Sequence, residues 1–346
     1  MNAEIALAGL PDEVREPAHE VLAALEKTTP YARALVLEAM LLAFSAQETA
    51  DLKLVARALD EIRRGLEVFR PYRFVRKATM FGSARIPEHD PRWRQMFACA
   101  RALKDAGFMV ITGGGGGLMH AANAGAGREH SFGININLPM EQKPNPVVDG
   151  SPRHFYCRYF FTRKLFFLKE ADAVVLGAGG FGTLDEAFET LTLVQTGRNP
   201  PIPIVLLDAP GDDYWGPFVR SWLRRLVDDG LIGPGDQHLI YHTDNVDAAV
   251  DHITSFYTNY HSFRYAGDMI VLRILNPLSD EALARLNAEF SDVVDGRIEQ
   301  VWRWPRGDDP EYAHLPRLRF RMDRARIPVL GQIIRRVNAL AEYRRA

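Results

Sequence analysis

Apolar residues recur every three or four positions through the first seventy residues, and beyond Val75 they gather into short runs separated by helical stretches. After Pro30, Leu35, Ala39, Leu42 and Ala46 keep a helical period; over 51–69, Leu52, Val55, Leu59, Ile62 and Leu66 share one face. Pro11 and Pro30 suit helix starts, where a missing N–H costs nothing. Residues 1–70 therefore read as a helical extension that offers packing surface, ending near Pro71-Tyr72.

The alternation that follows predicts a parallel sheet, because helices fall between successive strands. Six apolar runs are predicted strands: 78–81, 108–111, 132–138, 173–176, 203–208 and 238–241. Predicted helices cover 91–106, a segment through Met119, Ala122 and Ala126, the segment carrying Arg163, the stretch from Thr183, then 214–229 and 246–257. A Pro-rich loop spans 139–152. With right-handed crossovers the usual strand order 3-2-1-4-5 brings the ends of the first and fourth strands side by side, and ligands of doubly wound sheets bind at that reversal. Residues 71–262 are expected to form this α/β, Rossmann-like domain.

Past about residue 265 the pattern changes. Runs at 269–275, 298–304 and 315–322 alternate as strands, Ser279 caps a helix to about 290, and a last helix covers 329–343. This βαββα order predicts a small α+β domain of ferredoxin-like character over 263–346. Arg317, Arg319 and Arg321 fall on one strand face, opposite Leu318, Phe320 and Met322. The plain reading is a solvated face; the sharper one is a site for an anionic effector or a partner subunit.

Composition narrows the classes. A chain of 346 residues, 47% apolar and 25% charged, suits two or three globular domains, and a net charge of −2 gives no footprint for nucleic acid. The balance is uneven: twelve Arg against six acids over 297–346 make that stretch +6 and leave −8 for the rest. Cys99 and Cys157 are too few for a disulfide framework and lack metal-ligand spacing. No apolar stretch is long enough to span a bilayer, and the first residues lack a basic-then-apolar leader, so a cytoplasmic protein is expected.

The chemistry concentrates between 160 and 198. A β-branched run to Leu176 is followed by Gly177-Ala178-Gly179-Gly180-Phe181-Gly182, and then by Leu184, Phe188 and Leu191 at helical spacing. This is strand, glycine loop, helix. Glycine lets the main chain turn sharply and approach a ligand, while the first helical turn presents unpaired N–H groups carrying roughly half a positive charge. Phosphate is the anion that such a cradle suits. With the apolar positions turned to the core, Glu186 and Glu189 share another face, and Asp185 reads as solvated. Upstream, Arg163 and Lys164 interrupt an aromatic segment. Gly177, Gly179 and Gly182 also match the dinucleotide fingerprint in form, with Asp208 ending the next strand. They belong to the fourth strand rather than the first, however, and no P-loop pattern occurs.

Residues 178–186, AGGFGTLDE, resemble the PGGxGTxxE signature of the LOG family, phosphoribohydrolases that cleave nucleoside 5′-monophosphates and are often labelled lysine decarboxylases. Arg163-Lys164 stands 23 residues before Glu186, as that family's Arg-Lys pair does, and Gly82-Ser83 and the run from Gly113 to Met119 resemble its two earlier glycine elements. The likeness spans about 75–257, and the flanking extensions resemble those of longer bacterial members. Ala178 replaces the signature's proline, which frees the unfolded chain but removes no ligand group.

The resemblance implies a site. Glu186 would hold the ribose hydroxyls, stabilise a cationic sugar and orient water, while Arg163 would anchor the substrate from the opposite side and pair with that carboxylate. Gly179, Gly180, Gly182 and Thr183 would cradle the 5′-phosphate, with Gly82, Ser83, Gly114, Gly115 and Gly116 completing the pocket and Lys164 and Glu189 adjoining it. No metal and no cofactor are implied; a decarboxylase would need pyridoxal phosphate and a Schiff-base lysine, and nothing near Lys164 reads as a pyridinium partner. His120 and His154 read as surface or core histidines near the crevice, and Arg153 and Arg158 flank the 139–152 loop. The competing class is a non-enzymatic nucleotide or molybdenum-cofactor carrier, followed by an NAD(P)-dependent oxidoreductase. Apolar helical stripes predict a homodimer or higher homo-oligomer.

Overall fold

The computed structural model describes residues 7, 10–45, 48–137, 143–302 and 310–341, and divides into two compact units, 1–64 and 65–346. The expected position Ala46, the strand ends at Leu138 and Trp304, the loop residues 139–142 and the helix end at Tyr343 lie outside the described residues. In the first unit, α1 (Asp12–Ala24) follows Pro11, α2 (Pro30–Ser45) begins on its proline, and α3 (Thr49–Phe69) runs into the second unit. Leu10, Ala18, Leu22 and Leu37 form a small core between α1 and α2.

The second unit holds two sheets. The larger comprises β1 (Lys77–Phe81), β2 (Met109–Thr112), β3 (Ser131–Ile136), β4 (His154–Cys157), β5 (Ala173–Leu176), β6 (Ile204–Leu207) and β7 (Ile240–Thr243). All pairs are parallel in the order β4-β3-β2-β1-β5-β6-β7, so the chain reverses direction across the sheet between β1 and β5 as expected. Between the strands run α4 (Pro91–Asp105), α5 (Leu118–Ala126), α6 (Phe160–Lys169) and α7 (Phe181–Gln195). Ala173 and Val175 of β5 face one buried layer while Val174 and Leu176 face the other, and β6 divides Val205 and Leu207 from Ile204 and Leu206 in the same way. Strands covered on both faces read as unbroken apolar runs, which is why these were visible in the sequence. The seventh strand was not. β4 is four residues at the edge of the sheet beside β3; Phe155 and Cys157 are buried and alternate with His154 and Tyr156, a span too short to stand out as an apolar run.

The helix expected over 214–229 starts late. Asp208 accepts from the Trp215 amide at 3.2 Å and the Trp215 indole donates to Leu176 O at 2.8 Å, which pins 214–215 to the sheet as loop. A π-helical turn (Phe218–Leu223) and α8 (Arg224–Asp228) follow, and α9 (Val246–Thr254) closes the layer.

The smaller sheet is antiparallel, ordered β10-β11-β9-β8, from β8 (Tyr260–Ala266), β9 (Met269–Ile274), β10 (Val294–Val301) and β11 (Arg317–Met322), with α10 (Asp280–Glu289) and α11 (Leu330–Leu340) sharing its core. The expected βαββα series is there, preceded by β8, whose burial pattern is mostly intermediate and gives little periodic signal. Gly267, at φ 66°, turns β8 into β9. The joint to the larger sheet is held by a buried amide: Asn338 Oδ1 accepts from the Asn259 and Tyr260 amides at 2.9 and 2.8 Å, and its Nδ2 donates to Phe256 O at 2.7 Å.

The arginine face of β11 is solvated only in part, since Arg321 is exposed while Arg317 is buried. Arg317 is 1% exposed and donates to Tyr312 O at 2.8 Å, Trp302 O at 3.2 Å and Leu315 O. Arg319 lies 2.7 Å from Glu299, and Arg321 lies 2.7 Å from Asp268.

Candidate active site

At the β1/β5 reversal three loops are tied to one another by the main chain. Ser83 N donates to Ala178 O at 2.9 Å, Ser83 O accepts from Leu118 N at 2.9 Å, and Gly177 N donates to Phe81 O at 2.9 Å. Close approach explains the glycines at two of these crossings: a Cβ on Gly117, at φ 60°, would lie 2.1 Å from Ser83 O, and one on Gly179 would lie 2.1 Å from Thr183 Oγ1. Behind the loop, the Tyr214 hydroxyl donates to Gly179 O. At α7 no side chain caps Gly180, whose carbonyl accepts from the Thr183 and Leu184 amides at 3.0 Å. The earlier amides of that first turn, Phe181 and Gly182, therefore point outward with their partial positive charge. Side chains added at Gly180 or Gly182 would meet nothing within 4 Å.

The space in front is a cleft of about 580 Å³. Gly82, Ser83, Arg163, Gly180, Gly182, Thr183 and Glu186 all line it, as the sequence led one to expect. Gly113 lines it in place of Gly114, Gly115 and Gly116. The reason is local bonding: Gly114 N donates to Thr112 Oγ1 at 2.9 Å, and Asn145 binds Gly114 O through its amide at 2.8 Å and Gly115 O through its side chain at 3.0 Å, which turns these peptides into the fold. Gly179 stands behind the lining, against Thr183.

Charge in the cleft is concentrated and poorly matched. Glu186 is 4% exposed, and its Oε2 has no hydrogen-bond partner. Burial pushes its carboxyl up to about 7, against Lys164 and Arg163, while Glu189 and Asp185 act with burial. Its nearest cation is Lys164, with Nζ at 3.7 Å from Oε2; the same Nζ lies 2.6 Å from Glu189 and 2.8 Å from Asp185. Asp185, expected to be solvated, thus holds Lys164 from the exposed side. Arg163 reaches none of these three carboxylates within ion-pair distance; its Nε is buried without a hydrogen-bond partner and its guanidinium lies 5.1 Å from the Phe160 ring and 5.4 Å from that of Phe167. Burial lowers its pKa, with Glu186 opposing. The arrangement offers a helix N-terminus for an anion, and across from it a carboxyl and a guanidinium with unused hydrogen-bonding capacity.

Other candidates lie elsewhere. Arg153 is buried against Tyr72 Oη and Glu129, both at 2.7 Å, and Arg158 is exposed. His154 Nε2 meets Asn135 Oδ1 at 3.0 Å, and His120 lies 3.4 Å from Glu88. Asp208 accepts from His242 as well as from Trp215, so its carboxylate is turned into the β6–β7 edge rather than toward a ribose. Sequence reasoning missed Met119 as a lining residue, although it named the residue as helical, and missed the exposed Arg85 at the rim. Arg85 stands two residues beyond Ser83, a spacing that could have drawn attention to it.

The family model described as "Possible lysine decarboxylase" matches residues 116–253, a span that includes α6, β5, the glycine loop and α7. Over this span the central domain is similar to the LOG family. The cytokinin riboside 5′-monophosphate phosphoribohydrolase of Mycobacterium tuberculosis is 36% identical over 92 residues, covering 26% of this chain and 46% of that protein. The Mycobacterium marinum protein of the same name is 26% identical over 170 residues, covering 48% of this chain and 88% of that one. The chain spans about half the length of the first two curated relatives, 46% and 52%. Among solved structures, the molybdenum cofactor binding protein from Rippkaea orientalis is 17% identical with a TM-score of 0.35, covering 51% of this chain and 91% of that one. In this chain the matched domain is followed by the smaller antiparallel sheet.

Proposed function

We propose that the LOG domain hydrolyses the N-glycosidic bond of nucleoside 5′-monophosphates, with water adding to C1′ to release free base and ribose 5-phosphate. The observation that carries this reading is the buried, unbonded Oε2 of Glu186 in the cleft that Gly180, Gly182 and Thr183 also line. Cleaving the bond develops positive charge on the ribose ring, so a carboxylate fixed in a low-dielectric wall stabilises the transition state more than the neutral ground state. The α7 N-terminus suits the 5′-phosphate, and that contact holds the sugar against Glu186. Ionised, Glu186 orients the attacking water; Arg163, with its Nε unused, anchors the substrate from the facing wall. Lys164 keeps three carboxylates from repelling one another. The names of the curated relatives support the reaction class.

The chain is further proposed to work in the cytoplasm as a homodimer. Phe160, Phe161, Leu165, Phe181 and Phe188 leave apolar side chains exposed on α6 and α7, Phe181 at 92%, and neighbouring exposed rings of this kind mark association surfaces. Incubation with a panel of nucleoside monophosphates, followed by chromatography for free base, tests the reaction. Turnover of AMP or GMP is expected, falling by ~10²–10⁴ in Glu186→Gln with the fold kept. Return of every nucleotide intact would leave a carrier instead.

A further inference from the structure

A second, partly open pocket of about 270 Å³ lies where the two sheets of the larger unit meet, at the far end of α7 from the cleft. Its walls include Val194 of α7, Pro203 before β6, Tyr241 of β7, His252 of α9, and Gly331 and Arg335 of α11. No carboxylate lines it. Arg335 donates through Nη1 to His252 O at 3.3 Å and through Nη2 to His252 Nε2 at 2.5 Å, and its guanidinium carbon lies 5.1 Å from the Phe256 ring. Each of these partners is neutral. His252 stacks on Tyr241 at 4.0 Å, and burial together with Arg335 pushes its pKa down to about 3, so it adds no second positive charge. Burial lowers the pKa of Arg335 itself. Among the described residues its charge meets no counter-charge, whereas desolvated charges are ordinarily paired.

Gly331 adds an independent observation. It lies in the first turn of α11 without a left-handed φ, and a Cβ there would meet nothing within 4 Å. Neither backbone geometry nor packing among the described residues requires glycine at this position, which costs helix stability relative to alanine. What its absent side chain preserves is room in the cavity.

We propose that this cavity binds a small organic monoanion, its carboxylate held by Arg335 and its compact apolar body packed against Val194 and Pro203. One guanidinium balances one charge, and the volume sits just below the ~300–1,000 Å³ of drug-sized sites. Benzoate is the probe, titrated calorimetrically into the full chain. The expected result is saturable binding at one site per chain, weakened at least about thirty-fold in Arg335→Met. Gly331→Leu keeps Arg335 but fills the space and is expected to weaken binding to a similar extent without lowering Tm. Arg163→Met, in the cleft, is expected to leave benzoate binding unchanged. The proposal is overturned if wild type shows no saturable binding, if Gly331→Leu binds as wild type does, or if Arg163→Met abolishes it. Displacement of benzoate by an equal concentration of inorganic phosphate would overturn the assignment of an apolar body.

Discussion

On β11, Arg319 and Arg321 each lie 2.7 Å from a carboxylate, and the buried Arg317 directs its donors at backbone carbonyls. At the head of α7 a guanidinium and a carboxylate share one cleft without such a match: Arg163 keeps a buried Nε and Glu186 a buried Oε2 without hydrogen-bond partners. The difference is between charge that stabilises the fold and charge that is held ready at the fold's expense. A matched guanidinium has little left for a ligand. An unmatched one, in a cleft with a helix N-terminus at its edge, has its hydrogen-bonding capacity in reserve.

The largest expected effect separates the two regions by activity. Arg163→Met removes a cation that has no carboxylate within ion-pair distance among the described residues, so folding is expected to survive while kcat/KM for AMP falls by ~10²–10³. A near-wild-type rate from steady-state kinetics would place Arg163 with the arginines of β11. The reciprocal change is Arg317→Met. It leaves at least three carbonyls without their donor in a site 1% exposed, and a destabilisation of about 3 kcal/mol is expected by denaturant titration, with the rate per folded molecule unchanged.

How much of this contrast was legible in the sequence depends on what each residue's role requires. The sheet order around β1 and β5 followed from apolar runs and crossover handedness, and Gly180, Gly182, Thr183 and Glu186 were legible as lining one cleft because the glycine loop and the carboxylate after it lie close together in sequence. The pairing of Arg319 with Glu299 was hidden, since it depends on the register of β10 against β11, twenty residues apart. So was the displacement of Gly114–Gly116 from the cleft, which Asn145 brings about from about thirty residues away. Alternation placed Arg317, Arg319 and Arg321 on one face, but only the fold reveals that Arg317 lies beneath Tyr312 O and Trp302 O.

The strain at Glu186 also carries a pH signature in stability. Its folded pKa, about 7, lies above the ordinary 4.5, so the native state binds the extra proton between those values. Stability from this group is therefore full below about pH 4.5, declines as pH rises through 7, and is flat beyond. Glu186→Gln cannot ionise. At pH 8 it is expected to be more stable than wild type by up to about 3 kcal/mol, near 5 °C in Tm, with the gain shrinking toward zero at pH 4.5 in thermal melts. An equal Tm at pH 8 would mean that Glu186 is as well matched as Arg319.

The smallest effect tests which groups set that pKa. Lys164 is the largest influence lowering it, and Glu189 raises it. If ionised Glu186 does the chemistry, kcat/KM rises with pH through about 7 in wild type. Lys164→Met removes the favourable charge and is expected to carry that limb to higher pH by about one unit. Glu189→Gln removes a like charge and is expected to shift it less, in the acid direction, because Lys164 then faces one competitor fewer at 2.6 Å. Opposite displacements in pH–rate profiles would identify the Lys164 cluster as the device that keeps Glu186 near neutrality. Parallel displacements would show that loosening Lys164, rather than charge itself, governs the carboxyl.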